Sequence, residues 1–314
     1  MKGERVAKPK PPILPRRPSD PTGTDALERR AMREFNRRLR SVRRAYVDVL
    51  DRIPRERVLT PNAVYEYRLD SSMLRSILED ASRLVDQIML EGGQENLWFF
   101  DAYVSTAYRR GTAQALANMG QQSAEYRRAK GPLRDVLTSE PYRHRLALIA
   151  AREFEEMRGF SGEMKADMAR ILTDGLGRGQ NPREIARRLS TQIGTEEKRA
   201  ARIARTEIPT ALRRARLDEA QDAEESYNLR LKEMHFSALS PTTRITHAQR
   251  HGKIYTAEEQ RDWWSRDANA INCKCSTITV LVDENGDPLD PSVVKRARDA
   301  EIKVRRERKG PWSD

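Results

Sequence analysis

The sequence predicts an α+β fold that is predominantly α-helical: long N-terminal helices followed by a small C-terminal α+β module, with disordered basic termini. Three observations lead there. Apolar residues recur at three- and four-residue steps over most of the first 222 positions, the spacing of one helix face. From about Tyr227 the texture changes to short alternating runs, separated by turn signals such as Ser240-Pro241 and Asn285-Gly286-Asp287-Pro288. Both ends are rich in Lys and Arg, and the first 23 residues carry six prolines.

Taken in order, residues 1–23 read as a disordered basic arm, because interleaved Pro and Lys/Arg oppose helix and favour solvated chain. Residues 24–222 read as a helical domain. Its first helix runs from Asp25 to about Arg52 on Met32, Phe35, Leu39, Val42, Tyr46, Val49 and Leu50, with arginines on much of the other face, and Pro54 ends it. Val64–Leu69 is a short extended piece or a lead-in. Ser71 and Ser72 are the candidate caps of a helix reaching about Leu90, stopped by Gly92 and Gly93. Residues 95–118 predict another helix, whose Trp98, Phe99, Phe100 and Tyr103 read as core, not as a base-stacking surface.

Residues 120–138 are polar and predict a connection, after which helical periodicity resumes over Tyr142–Met157 and Met164–Leu176. Gly175–Ser190 reads as helix stop, turn and new helix, with Asn181 as cap and Pro182 in the first turn. A further helix starts near Thr195, with a kink expected at Pro209. The small module occupies 223–290, with one amphipathic helix over Thr256–Asp267 that buries Trp263 and Trp264 at its edge. Residues 291–314 form a basic helical tail.

Composition narrows the function classes. No apolar run approaches the roughly 20 residues of a membrane span, and the basic, Pro-rich start lacks the apolar stretch of a secretory signal, so synthesis in a cytoplasm is expected. The only cysteines are Cys273 and Cys275, a poor basis for a disulfide framework. The net charge of +12 sits at the ends: residues 1–60 hold 17 Lys/Arg against 8 Asp/Glu, and residues 291–314 hold 8 against 4, so the interior is close to neutral. Two basic ends on a neutral body either serve solubility or meet nucleic acid. In the second case the contacts are Lys8, Lys10, Arg16 and Arg17 at one end and Arg305, Arg306, Arg308 and Lys309 at the other.

The chemistry-bearing residues concentrate in the small module. His247, His251, Cys273 and Cys275, with His235 as a spare, offer four nitrogen and sulfur donors within 29 positions, the composition of a structural zinc site. On a straight strand the two cysteines would stand about 6.6 Å apart, so sharing an ion requires a turn. The competing reading has two small buried thiols and an ordinarily hydrogen-bonded histidine. A metal-dependent nuclease built on His247, His251 and Asn272 would need an acidic cluster to hold a hard cation, and Asp262 and Asp267 fall on a solvated helix face. Gly175–Gly179 lacks the Lys-Ser/Thr of a phosphate loop. No catalytic or nucleotide-binding residue is therefore assigned, and no cofactor beyond the candidate structural zinc. Arg205, Thr206 and Glu207 form a third group, on composition alone a solvated helix face.

Together these pieces resemble the phage head morphogenesis family of minor capsid proteins, the group similar to the F protein of phage Mu. That family has a GL-x-x-G turn, an EIA-x-x-L helix and an IARTE helix, here Gly175–Gly179, Glu184–Leu189 and Ile203–Glu207. It continues with a T-R-x-x-H element and a following Gly, here Thr243 to His247 with Arg244 second, and Gly252, and then with Asn272-Cys273-Lys274-Cys275. The resemblance covers about residues 165–282. Two positions depart: Ser240 and His251 stand where the family usually has Asp. The resemblance thus supports His247, Cys273 and Cys275 as one constellation, with Asn272 and Arg244 beside it, and leaves His251 apart. It also raises Arg205, Thr206 and Glu207 to motif residues, for which an Arg-Glu pair bridging the long helix to the module is the expectation.

What the resemblance implies is a minor head protein of a tailed phage, acting in procapsid assembly at the portal and in DNA packaging or ejection. Its implied partners are the portal protein, a scaffolding or major capsid protein and packaged double-stranded DNA, with no membrane contact in the head. Its implied location is the virion, inside the head, after assembly in the host cytoplasm. The alternatives are a metal-dependent DNA-processing enzyme and a DNA-binding accessory protein without a capsid role.

Overall fold

The computed structural model describes residues 10–58, 65–307 and 309–313. The chain divides into two compact units interleaved in sequence: Met1–Glu28, Tyr103–Arg143 and Arg205–Asp314 form one, and Arg29–Ala102 with His144–Ala204 the other. The described residues are mainly helical, with two small antiparallel sheets.

The second unit holds most of helix α1 (Asp25–Arg52), the hairpin β1 (Arg55–Arg57) and β2 (Tyr65–Tyr67), helix α2 (Ser71–Met89), and parts of two longer helices, α6 (Glu140–Gly177) and α7 (Pro182–Tyr227). Its aromatic centre is Phe35 of α1, whose ring lies 4.9 Å from Trp98, 5.1 Å from Phe99 and 6.2 Å from Phe160. This is a packed core, as the sequence predicted. The cap of α2 is Asp70, accepting from Met73 N–H at 2.7 Å, and not the serines that follow it. The Gly175–Gly179 turn is closed by Gln180 N–H to Gly175 O at 2.9 Å, with Gly179 at φ +59°. Strand β2 pins it: Tyr65 N–H reaches Gly179 O at 2.8 Å and the Tyr67 hydroxyl reaches Gln180 O at 2.7 Å. Val64 itself lies outside the described residues.

Two expected helix breaks are absent. The runs before and after Gly159 and Gly162 are one helix, α6, and α7 runs unbroken through Gly194 and Pro209. The expected connection at 120–138 is instead the end of α3 (Ser105–Gln122), then α4 (Ala124–Lys130) and α5 (Leu133–Thr138), with Ser123 capping α4 and Gly131 ending it at φ +76°. A π-helical turn, Phe100–Val104, leads into α3.

The first unit is built around the three-stranded sheet of β3 (Leu231–Phe236), β4 (Ile254–Tyr255) and β5 (Ser276–Leu281), in the order β4-β3-β5. Helices α8 (Ile245–Ala248) and α9 (Ala257–Ser265) lie between the strands in sequence, α9 starting with a Thr256/Glu259 capping box. One face of the sheet is apolar: Met234, Phe236, Ile278 and Val280 pack against Val293 and Ala297 of α10 (Ser292–Glu307). The opposite face carries Glu233, His235, Thr277 and Thr279, all buried, because directly paired residues project together. The outer edge of β5 is closed by side-chain amides of α3: Asn118 and Gln122 donate to Thr279 O at 2.7 and 2.9 Å, and Gln122 Oε1 accepts from Leu281 N–H at 3.0 Å.

The basic termini are less free than expected. Residues 10–24 hold no helix or strand, yet Ile13 N–H reaches Asn118 Oδ1 at 2.7 Å, and Leu14 packs against the cluster of Val293 and Ala297. Helix α3 meets α7 through Gly111, where an added Cβ would fall 2.3 Å from Leu212 O and 2.8 Å from Ala215 Cβ. A backbone atom cannot swing aside. Gly111→Ala is therefore expected to destabilise the protein by about 2 kcal/mol, the overpacking range, as checked by urea denaturation; an unchanged midpoint would show that the two helices separate freely.

Candidate functional site

The candidate site grows from three segments of the first unit. The first is α8, a single turn that carries His247. The second is the loop after α9, in which Asp267, Ala268 and Asn272 take left-handed backbone conformations with φ between 50 and 55°. Such positions are uncommon for residues other than glycine and need outside support. Arg244 supplies it: its guanidinium donates to Ala268 O at 2.9 Å and to Asn269 O and Ile271 O at 3.0 Å each. The third segment is α7, whose Thr206 hydroxyl accepts from Asn272 N–H at 3.2 Å and whose Arg213 donates to Cys273 O at 2.8 Å and to Cys275 O at 3.3 Å.

Held in this way, the loop turns both thiols toward one histidine nitrogen. His247 Nδ1 lies 3.4 Å from Cys273 Sγ and 3.5 Å from Cys275 Sγ, and the three residues are buried. This is the constellation the sequence pointed to. Trp263 stacks edge-on against His247, ring centres 4.6 Å apart, and Arg213 lies over Trp264 at 4.8 Å. His247 Nε2 is buried without a hydrogen-bond partner among the described residues. A cleft of about 190 Å³ reaches all three, lined also by Ser240, Thr242, Arg244 and Asn272. Burial pushes the Cys273 thiol up, but the Cys275 hydrogen bond, the Arg213 charge and His247 outweigh it and hold Cys273 well below the usual thiol range. Cys275 is pushed well above that range by its bond to Cys273 and by burial.

His251 is not part of this cluster. Its Nδ1 accepts from Ser237 N–H at 3.1 Å and its Nε2 pairs with Ala297 O at 3.1 Å, so both nitrogens serve the backbone, tying β3 to α10. His235 pairs with Gln260 through Nδ1 at 3.3 Å, and burial drives its pKa down to about 3. Among the described residues no carboxylate joins the cluster. Asp262 forms an ion pair with Arg266 at 2.5 Å on α9.

Of the IARTE residues, Thr206 makes the bridge from α7 to the Asn272 loop, while Arg205 is exposed. Sequence reasoning missed Arg213 and Arg216. Both lie on the α7 face that also carries Leu212 and Leu217, and a guanidinium at an inward position in that pattern was the available signal. Arg216 donates to Ser276 Oγ at 2.9 Å and to Thr277 O, and burial brings its pKa down to about 10. On the same sheet face, burial lifts Glu233 to about 7 against the opposing pull of Thr279, Thr277 and Arg216.

The two basic ends meet in the first unit. Arg296 of α10 donates to Pro12 O at 3.2 Å, and Lys10, Arg16, Arg17, Arg305, Arg306 and Lys309 are exposed. Arg305 bonds Glu301 at 3.0 Å and Trp312 O at 2.6 Å, and the Trp312 indole donates to Ser240 O at 2.8 Å. Lys8 and Arg308 lie outside the described residues.

Comparison with known proteins adds one match. No curated protein and no solved structure matches the chain. Residues 166–278 match the family model described as phage Mu protein F like protein, a span that takes in the Gly175 turn, α7, His247 and both cysteines. The chain thus carries, over residues 166–278, a region similar to the Mu F-like phage head morphogenesis family.

Proposed function

We propose that this chain is a minor head protein of a tailed phage, built into the procapsid at the portal and in contact with the packaged DNA. One observation carries the reading: the elements of the matched region from Thr206 onward converge on a single buried constellation clamped by Arg244, Thr206 and Arg213, an arrangement that fixes a fold and brings no carboxylate to the cluster among the described residues. The DNA contact rests on charge. The N-terminal arm and α10 bring their exposed cations to one unit, and in the other unit Arg29, Arg33, Arg40 and Arg44 are exposed along α1 at helical spacing. Phosphate neutralisation needs no more specific chemistry than this. Among the described residues no helix is long and apolar enough to cross a membrane.

A protein inventory of purified heads, full and empty, tests the assignment. The chain is expected in both at low copy number, and its absence from assembled heads would sink the reading. Binding of the purified chain to duplex DNA across a salt series is expected to weaken steeply with salt. Cleavage of plasmid that depends on His247 and a divalent metal would favour the DNA-processing alternative. Steep DNA binding with no portal or capsid protein retained in pull-downs would favour a DNA-binding accessory role.

A further inference from the structure

We infer that Cys273 Sγ, Cys275 Sγ and His247 Nδ1 form a three-ligand site for a zinc-like divalent ion whose fourth position opens onto the adjoining cleft. Zinc holds thiolate sulfur at about 2.3 Å and imidazole nitrogen at about 2.0–2.1 Å, which in a tetrahedron sets sulfur and nitrogen about 3.5 Å apart. The two nitrogen–sulfur separations are 3.4 and 3.5 Å, and all three donor atoms lie within 4.8 Å of one another. Hydrogen bonding explains these lengths less well, because a single ring nitrogen directs one in-plane bond and here faces two sulfurs. A single ion held among the three donors satisfies all of them.

The surroundings are those of a site built before its ion arrives. Two cysteines one residue apart on a strand would not share a partner, and the left-handed Asn272, the Arg244 clamp and the Arg213 fork are what bend the segment until they do. Two buried apolar thiols would require none of this. Two thiolates also offset the charge of a divalent ion, so the buried complex carries no net charge. Among the described residues no fourth donor joins the three. Both nitrogens of His251 are engaged with the backbone, His235 binds Gln260 through Nδ1 and its unpaired Nε2 is not among the grouped donor atoms, and no carboxylate joins the cluster among the described residues. The cleft reaches all three ligands and has polar walls at Ser240, Thr242 and Asn272, so a water molecule completes the shell.

This inference stands apart from the head-protein reading, since metal content does not depend on what the chain assembles with. The full chain, purified without chelator, is expected to carry about one zinc per molecule. Removing that zinc should lower Tm and expose two thiols to alkylation. Cobalt reconstitution should give the sulfur-to-metal charge-transfer absorption and strong d–d bands of a tetrahedral ion, and thiocyanate should shift those bands by entering the open position. Cys275→Ser should lower zinc affinity by at least about tenfold. If the cysteine variant does not fold, the cobalt spectrum of the unaltered chain decides the matter. Substoichiometric zinc, no cobalt charge-transfer band, and thiols alkylated equally fast before and after chelation would overturn the site. Cobalt bands indifferent to thiocyanate would overturn its open fourth position.

Discussion

Arg213→Ala is expected to destabilise the first unit by about 4 kcal/mol, because it leaves buried carbonyls without donors and opens a cavity in one step. Arg213 is only 2% exposed. It donates to Cys273 O and Cys275 O, to Thr210 Oγ1 at 2.8 Å, and covers the Trp264 ring. Lysine would keep the charge but not the fork, so Arg213→Lys should recover only part of the loss. Urea denaturation gives the magnitude, and alkylation of Cys273 and Cys275 under native conditions gives the location. A variant with an unchanged midpoint and thiols no more reactive than before would show that the loop holds its shape without Arg213.

Glu233→Gln is expected to change how stability depends on pH, with the variant about 3 kcal/mol more stable than the parent at pH 8. The carboxyl is buried between strands, and neither oxygen has a hydrogen-bond partner of good geometry among the described residues. Its folded pKa, about 7, lies above its ordinary 4.5. The folded chain therefore holds a proton that the unfolded chain has already released. That contribution is fully present below pH 4.5 and is lost as pH rises through about 7. His235 acts in the opposite sense: its pKa falls from 6.5 to about 3, so its contribution is lost as pH falls below 6.5. The two slopes oppose each other between about pH 4.5 and 6.5, and the glutamine variant exposes the histidine slope alone. Parallel stability curves for parent and variant from pH 5 to 8 would show that Glu233 is ionised in the folded state throughout.

Helical character was legible in the sequence because it depends on periodicity, while helix ends were less so because they depend on packing. Gly159, Gly162 and Gly194 look like interruptions, and each costs a helix about 1 kcal/mol relative to alanine. A helix of 38 or 46 residues with one side in a core absorbs that cost. The polar segment at 120–138 hid two short helices because each buries a single residue, Tyr126 or Val136, too few to show a period, and only the first has a side-chain cap, at Ser123. At the site, His247 and the two cysteines were legible as donor types at close spacing. Their supports were not. Arg213 and Arg216 resemble every other arginine of an Arg/Ala-rich helix until the fold shows which side is inside. The short Thr206 side chain also bridges α7 to the Asn272 loop, and a hydroxyl accepting one backbone N–H leaves no mark in a sequence pattern.

Asn118 and Gln122 also decide what kind of partner this unit can accept. A strand edge with free N–H and C=O groups invites another chain to extend the sheet, the commonest way for extended peptides to be recruited. Here two amide side chains occupy that edge of β5, and the opposite edge strand, β4, is only two residues long. Strand addition at this sheet finds little free edge, so helix faces and loops are the surfaces this unit offers a partner. An aspartate or glutamate in place of either amide would lose the donor, reopen one rung of the ladder and favour self-association through β5.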